Sequence, residues 1–219
     1  MLKALLFDMD GLIFDSEKVV QRSWNMAGNI LGYGNIGDHI YNTLGMNAKS
    51  RGEYFKGVFG EDFPNEKFRD LARENFYGIV EREGLTVKTG ARELIHYAKQ
   101  LGYHMAVVTS SRRPYVEEMF KKAGLYEYFD VFVCGDMVTK SKPDPEIYEK
   151  ACRFLGVRPE YCVAFEDAPA GVESATAAGV DVIMVPDLVQ PDSETRYKAW
   201  RVIGTLDEVI DILRREARE

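Results

Sequence analysis

The sequence predicts an α/β fold: a parallel sheet with helices on both faces, plus a helical unit inserted after the first strand. Three observations predict it. From residue 86 onward, apolar runs of strand length alternate with segments of helical periodicity, as in a parallel sheet wound with helices. The chain opens on a wholly apolar run, Ala-Leu-Leu-Phe at 4–7, of the kind buried inside such a sheet. Between the two, residues 16–83 contain nothing that reads as a strand. At 219 residues the chain can build one substantial core and a smaller inserted unit. The expected division is 1–15 with 84–219 for the α/β core, and 16–83 for the helical unit.

The first strand ends in Asp8-Met9-Asp10-Gly11. A carboxylate next to a core loses solvation and needs a cation, a hydrogen bond or a reaction to justify it. Residues i and i+2 point to the same side, so Asp8 and Asp10 can face one ligand while Gly11 lets the backbone turn away. Val20, Trp24, Ala27 and Leu31 then recur at steps of three and four, predicting a helix over 16–31 that Gly32 and Gly34 end. A more polar middle follows, including 45–51. Phe68, Leu71, Ala72, Phe76, Ile79 and Val80 predict a second helix over 65–83.

A helix over 91–101 leads to a strand at 105–108, which ends at Thr109-Ser110-Ser111. A helix over 114–122 leads to a short strand at 131–133. A loop carrying Lys142-Pro143-Asp144-Pro145 opens a helix ending near 155. The strand at 163–165 ends at Glu166-Asp167, and a helix over 171–178, a strand over 180–185 and a last helix from 206 complete the chain.

Composition excludes several classes. The hydrophobic share of 46% with 29% charged residues is that of an ordinary globular protein. A net charge of −7 argues against nucleic acid or an anionic membrane as partner, although local cations can still hold a small anionic substrate. The three cysteines are odd in number and lack metal-type spacing, so they are expected to be buried thiols in a reducing compartment. No apolar run reaches transmembrane length, and the start of the chain lacks a signal peptide's basic and apolar regions. A cytoplasmic protein is expected, and nothing marks a subunit interface, so a monomer.

In open parallel sheets, ligands bind outside the carboxyl ends of the strands. Asp8 and Asp10, Thr109 and Ser110, Lys142, and Glu166 and Asp167 all fall at or beyond such ends. Carboxylates, a hydroxyl and a lysine are hard donors that suit Mg²⁺. They also suit phosphoryl transfer, in which cations and donors stabilise the charge on the transferring group. One carboxylate can attack phosphorus to give an aspartyl-phosphate; a second can protonate the leaving alkoxide and then deprotonate water. Each residue has a plainer reading as well. Thr109, Ser110, Glu166 and Asp167 can cap helices, and Lys142 can be a solvated loop lysine.

Phe7-Asp8-Met9-Asp10-Gly11, Val108-Thr109-Ser110, Ser141-Lys142-Pro143 and Phe165-Glu166-Asp167 are similar to the four ordered motifs of the haloacid dehalogenase superfamily. The resemblance runs from Lys3 to about Gly179. It is closest to the subgroup of β-phosphoglucomutase and small phosphatases, and it implies a Rossmann-like core with an inserted helical cap. It also implies roles. Asp8 is the nucleophile and a Mg²⁺ ligand; Asp10 is the general acid/base, with its backbone carbonyl on the metal. Thr109 and the Ser110 backbone bind the phosphoryl group, Lys142 offsets charge, Asp167 binds Mg²⁺, and Glu166 supports it directly or through water.

The mutase pattern is not fully met. The resemblance places a mutase histidine where this chain has Val20, and His39, His96 and His104 lie elsewhere. Lys49 and Arg51 fall in the cap loop where mutases carry basic residues, although the register differs. They are either a solvated helix start or a hold on the distal part of a sugar phosphate. The leading expectation is a Mg²⁺-dependent phosphatase acting on a small phosphorylated metabolite. A β-phosphoglucomutase and a non-catalytic phosphosugar-binding protein are the alternatives.

Overall fold

The computed structural model describes residues 2–43 and 48–216. β1 (Ala4–Phe7) is followed by α1 (Glu17–Leu31), a 3-10 turn at Gly37–Ile40, α2 (Ala48–Phe59) and α3 (Asn65–Glu83). Next come α4 (Ala91–Gln100), β2 (His104–Val108), α5 (Arg113–Lys122), β3 (Val131–Val133) and α6 (Glu146–Leu155). β4 (Cys162–Glu166), α7 (Pro169–Ala177), β5 (Asp181–Met184), α8 (Ser193–Lys198), β6 (Arg201–Val202) and α9 (Glu208–Glu216) complete the order.

The six strands form one sheet, in the order β3-β2-β1-β4-β5-β6, and every neighbouring pair is parallel. β1 lies between β2 and β4 and is fully buried, which explains its unbroken apolar run. Alternate side chains serve opposite faces. Ala4 and Leu6 pack with Ala106, Val108 and Ala164 against Ile147, Tyr148 and Ala151 of α6 and Val172 and Ala175 of α7. On the other face, Phe7 meets Phe165 at 4.8 Å and Phe129 at 5.6 Å, and Phe129 meets Phe120 of α5 at 5.2 Å. Helices therefore cover both faces of the α/β sheet. Cys134, Cys152 and Cys162 are free and buried.

The chain divides into two compact units, 1–15 with 86–219, and 16–85. In the first unit, the two segments bordering the insertion pair with each other. The Asp15 amide donates to Thr86 O (2.9 Å) and the Lys88 amide to Ile13 O (2.8 Å). In the second unit every regular element among the described residues is helical. Its core is aromatic: Trp24 of α1, Phe55 of α2 and Phe68 of α3 lie 5.1 to 5.7 Å apart, edge to face. Each such pair contributes about 0.5–1.5 kcal/mol beyond its area burial.

Three elements differ from the sequence reading. α2 occupies most of the polar middle; its pattern is faint because Gly52 and Gly57 interrupt it and Phe55 is the side chain it buries most deeply. α8 and β6 are too short to show a period.

Candidate active site

The ends of β1, β2 and β4 deliver polar groups to one edge of the sheet. Asp8 follows Phe7 and stays on the ladder, its amide donating to Phe165 O (3.0 Å), so its carboxylate is fixed and buried. Thr109 does the same beyond β2, with its amide on Val133 O (3.0 Å). Its Oγ1 accepts from the Ser111 amide (3.1 Å), leaving the hydroxyl hydrogen to donate. Glu166, the last residue of β4, is 1% exposed. Gly171 permits this burial: a Cβ there would lie 1.9 Å from Glu166 Oε2. Gly11 (φ +81°) turns the chain after Asp10, and a Cβ at that point would strike Asp167 Oδ2 at 2.3 Å.

Lys142 ties these ends together. Its Nζ donates to Asp8 Oδ1 (2.6 Å), Glu166 Oε1 (2.6 Å) and Val108 O (2.9 Å), and its side chain is only 8% exposed. The solvated-lysine reading therefore fails. Two anions flank the ammonium. Burial pulls its pKa down, but Asp8 and Glu166 outweigh that and hold it above its ordinary value. The Tyr148 hydroxyl also donates to Glu166 Oε1, and burial followed by the Glu166 charge keeps it protonated.

The carboxylates are less comfortable. Burial pushes Asp8 up against the pull of Lys142, and pushes Glu166 up to about 7. Asp167 rises well above its usual range through burial, then through the charges of Asp8 and Glu166. One oxygen each of Asp8, Glu166 and Asp167 lies within 4.8 Å of the others. A single ammonium cannot neutralise three carboxylates, of which Asp8 and Glu166 are buried and Asp167 is half-buried. An all-oxygen set with surplus negative charge fits a hard divalent cation.

The Asp10 carboxylate turns elsewhere, its Oδ2 accepting from Ser111 Oγ at 2.7 Å. Ser110 is exposed at the end of β2. Arg51 lies in the helical unit, with its guanidinium 5.4 Å from the Trp24 ring centre. Burial lowers its pKa while Glu17 opposes. The Lys49 side chain lies outside the described residues, as do 44–47. Tyr148 and Ser111 are site residues that sequence reasoning missed. Tyr148 sits on the buried stripe of α6 and reads as ordinary core. Nothing in one sequence distinguishes Ser111 from its neighbour Ser110.

The haloacid dehalogenase-like hydrolase family matches residues 5–185. The chain belongs to this family. Hexitol phosphatase A of Escherichia coli (strain K12) is 35% identical over 186 residues, covering 84% of this chain and 82% of that protein. Validoxylamine A 7'-phosphate phosphatase of Streptomyces hygroscopicus subsp. limoneus is 31% identical over 209 residues, covering 95% and 96%. The crystal structure of CbbY from Rhodobacter sphaeroides in complex with phosphate matches with a TM-score of 0.78 and 29% identity, over 95% of this chain and 96% of that one. The chain is a hydrolase of the haloacid dehalogenase-like family, and its fold is the family's α/β core. No helix among the described residues is long and apolar enough to cross a membrane.

Proposed function

We propose that this protein is a Mg²⁺-dependent phosphoric monoester hydrolase acting on a small phosphorylated metabolite, a sugar or polyol phosphate, through an aspartyl-phosphate on Asp8. One observation carries the reading. Lys142 clamps Asp8 to Glu166 at 2.6 Å on either side, with an oxygen of Asp167 within 4.8 Å of both carboxylates. Pure binding needs no carboxylate held this way beside a second one. The phosphatase relatives support the same class.

Asp8, Glu166, Asp167 and the Asp10 backbone carbonyl would hold Mg²⁺, which when bound supplies positive charge to the phosphoryl oxygens. The chain's own groups perform the rest. Lys142 keeps Asp8 oriented, and the Thr109 hydroxyl and the Ser110 backbone donate to the phosphoryl oxygens. Asp8 attacks phosphorus, and the bond to the leaving oxygen breaks as Asp10 gives that oxygen its proton. Water then attacks the phosphorus and loses a proton to Asp10, and breakage of the Asp8–phosphorus bond releases phosphate. Ser111 holds Asp10 in place for both transfers.

In this reading the helical unit, 16–83, is the cap domain and 1–15 with 84–219 the core domain, with Lys49 and Arg51 as the cap's substrate-contacting cations. The protein acts as a cytoplasmic monomer in this reading, consistent with three free buried thiols. Hydrolysis is favoured over the mutase reading because Val20 stands where the mutase pattern has a histidine and this chain's histidines are engaged elsewhere. His39 bonds Tyr54 OH (2.7 Å), His104 meets Asp130 (3.3 Å) and the His96 ring lies tilted against Tyr128 at 4.7 Å.

The test supplies β-glucose 1-phosphate, a trace of glucose 1,6-bisphosphate and Mg²⁺, alongside a panel of hexose and hexitol phosphates. Free phosphate and glucose 6-phosphate are both followed. Phosphate release without isomerisation is expected. Rapid formation of glucose 6-phosphate would overturn the hydrolase reading. Asp8→Asn should lose at least about 10⁴ in kcat; unchanged turnover would remove Asp8 as nucleophile.

A further inference from the structure

Beyond the four motifs, one more ion pair sits at the same edge of the sheet. Asp187 follows β5, the strand next to β4. Lys88 ends the segment that pairs with residues 13–15, its amide donating to Ile13 O (2.8 Å). Lys88 Nζ donates to Asp187 Oδ1 (2.7 Å) and to Gly11 O (2.6 Å), so one ammonium pins Asp187 to the turn after Asp10. Both side chains are largely buried, at 24% and 20% exposure. With Oδ1 taken, Asp187 Oδ2 is buried and has no hydrogen-bond partner among the described residues.

That oxygen lies near the carboxylate of Asp167. A Cβ placed on Gly11 would meet Asp167 Oδ2 at 2.3 Å and Asp187 Oδ2 at 3.4 Å, so the two carboxylates approach one point from different strands. A buried carboxylate oxygen without a donor is costly, and two facing each other are costlier. The arrangement makes sense when a cation lies near Asp167. Mg²⁺ retains several of its waters when proteins bind it, and each such water is a strong donor.

We propose that Asp187, held by Lys88, is an outer positioning residue of the cation site, its Oδ2 accepting from water carried by the ion bound at Asp167. Lys88 acts one step further out by fixing the Asp187 carboxylate and the Gly11 carbonyl in one geometry. Outer partners of this kind typically change metal affinity by roughly 10- to 100-fold. The inference rests on the metal reading of the site, and the experiment separates the two.

Mg²⁺ binding to the whole protein is measured by titration calorimetry, without substrate, for the unaltered chain and for Asp167→Asn, Asp187→Asn and Lys88→Met. Melting without metal is recorded for each, so that only cooperatively folded variants are compared. Mg²⁺ binding to the unaltered chain that Asp167→Asn abolishes establishes the metal reading; absent binding to the unaltered chain would overturn that reading and this inference with it. Asp187→Asn is expected to weaken binding by about tenfold. Lys88→Met decides the mechanism. If distant charge were the whole effect, removing a cation would tighten Mg²⁺ binding; loss of positioning weakens it, and at least about threefold weakening is expected. Mg²⁺ affinity that is unchanged in Asp187→Asn, or unchanged or tighter in Lys88→Met, would overturn the assignment. Should Lys88→Met not fold, Asp187→Asn, nearly isosteric, still tests it alone.

Discussion

At the residue scale, Lys142 is the most consequential side chain. It is the ammonium that bonds Asp8 and Glu166, and it also holds the Val108 carbonyl at the end of β2. Lys142→Met removes the cation and leaves two carboxylates buried side by side. Breaking such a pair costs about 3–5 kcal/mol, so the variant should lose that much stability in urea unfolding as well as its turnover. A variant that lost turnover while keeping full stability would show that the clamp is not structural. Ser111 acts more narrowly. Its hydroxyl holds the Asp10 carboxylate at 2.7 Å, and general acid–base catalysis contributes roughly 10²–10⁴ in rate. Ser111→Ala should lower kcat about tenfold with KM nearly unchanged, because the acid remains but is less well aimed. Steady-state kinetics would decide, and an intact kcat would remove Ser111 from the mechanism.

At the scale of elements, the loop that delivers Lys142 is held by the first turn of α6. The Glu146 carboxylate accepts from the Thr139 amide and hydroxyl and from the Lys140 amide, and Ser174 Oγ donates to Asp144 O (2.6 Å). The Thr139 hydroxyl and the Thr139 and Lys140 amides pull the Glu146 pKa down to about 2 from an ordinary 4.5. A carboxylate depressed in the folded state stabilises it above its unfolded pKa, and that contribution fades as pH falls from 4.5 toward about 2. Glu146→Gln should therefore flatten the difference in melting temperature across that window. If both proteins lose stability in parallel as the pH drops, the loop is held by something else. α6 combines three tasks: its start anchors the Lys142 loop, Tyr148 reaches Glu166, and its buried stripe packs on the sheet. Only the last is written as a period of 3.6. The amphipathic pattern therefore revealed the helix, whereas Tyr148's hydroxyl bond depends on where β4 ends.

At the scale of the molecule, each compact unit carries its own core, and the two are built differently. The α/β unit buries strands between helices, mainly aliphatic on one sheet face and with Phe7, Phe165 and Phe129 on the other, whereas the helical unit gathers aromatic rings around Phe55, which is 1% exposed. Phe55→Ala should cost about 3–5 kcal/mol, read as an earlier or separate transition in denaturant. The carboxylate cluster belongs to the other unit, so Mg²⁺ affinity should stay within about twofold of the unaltered chain. A large loss of Mg²⁺ affinity in Phe55→Ala would show that the helical core supports the ion site.

The sequence by itself determined most of the order of elements, though not α2, α8 or β6, together with the parallel character of the sheet and the residues that end its inner strands. These features follow from local periodicity, or from carboxylates and hydroxyls placed where apolar runs stop. Asp8, Thr109, Lys142, Glu166 and Asp167 were legible because each breaks such a run or sits in a motif. α2 was not, since its helix is supported by ring packing against Trp24 and Phe68 rather than by its own pattern. Tertiary structure alone decided that Lys142 is buried between Asp8 and Glu166, and that Ser111 rather than Ser110 meets Asp10. It likewise decided that Lys88 and Asp187, 99 residues apart, pair at the same edge. The reason is physical: distance, burial and shared charge arise only when separate strand ends are brought together, and no period in the chain encodes them.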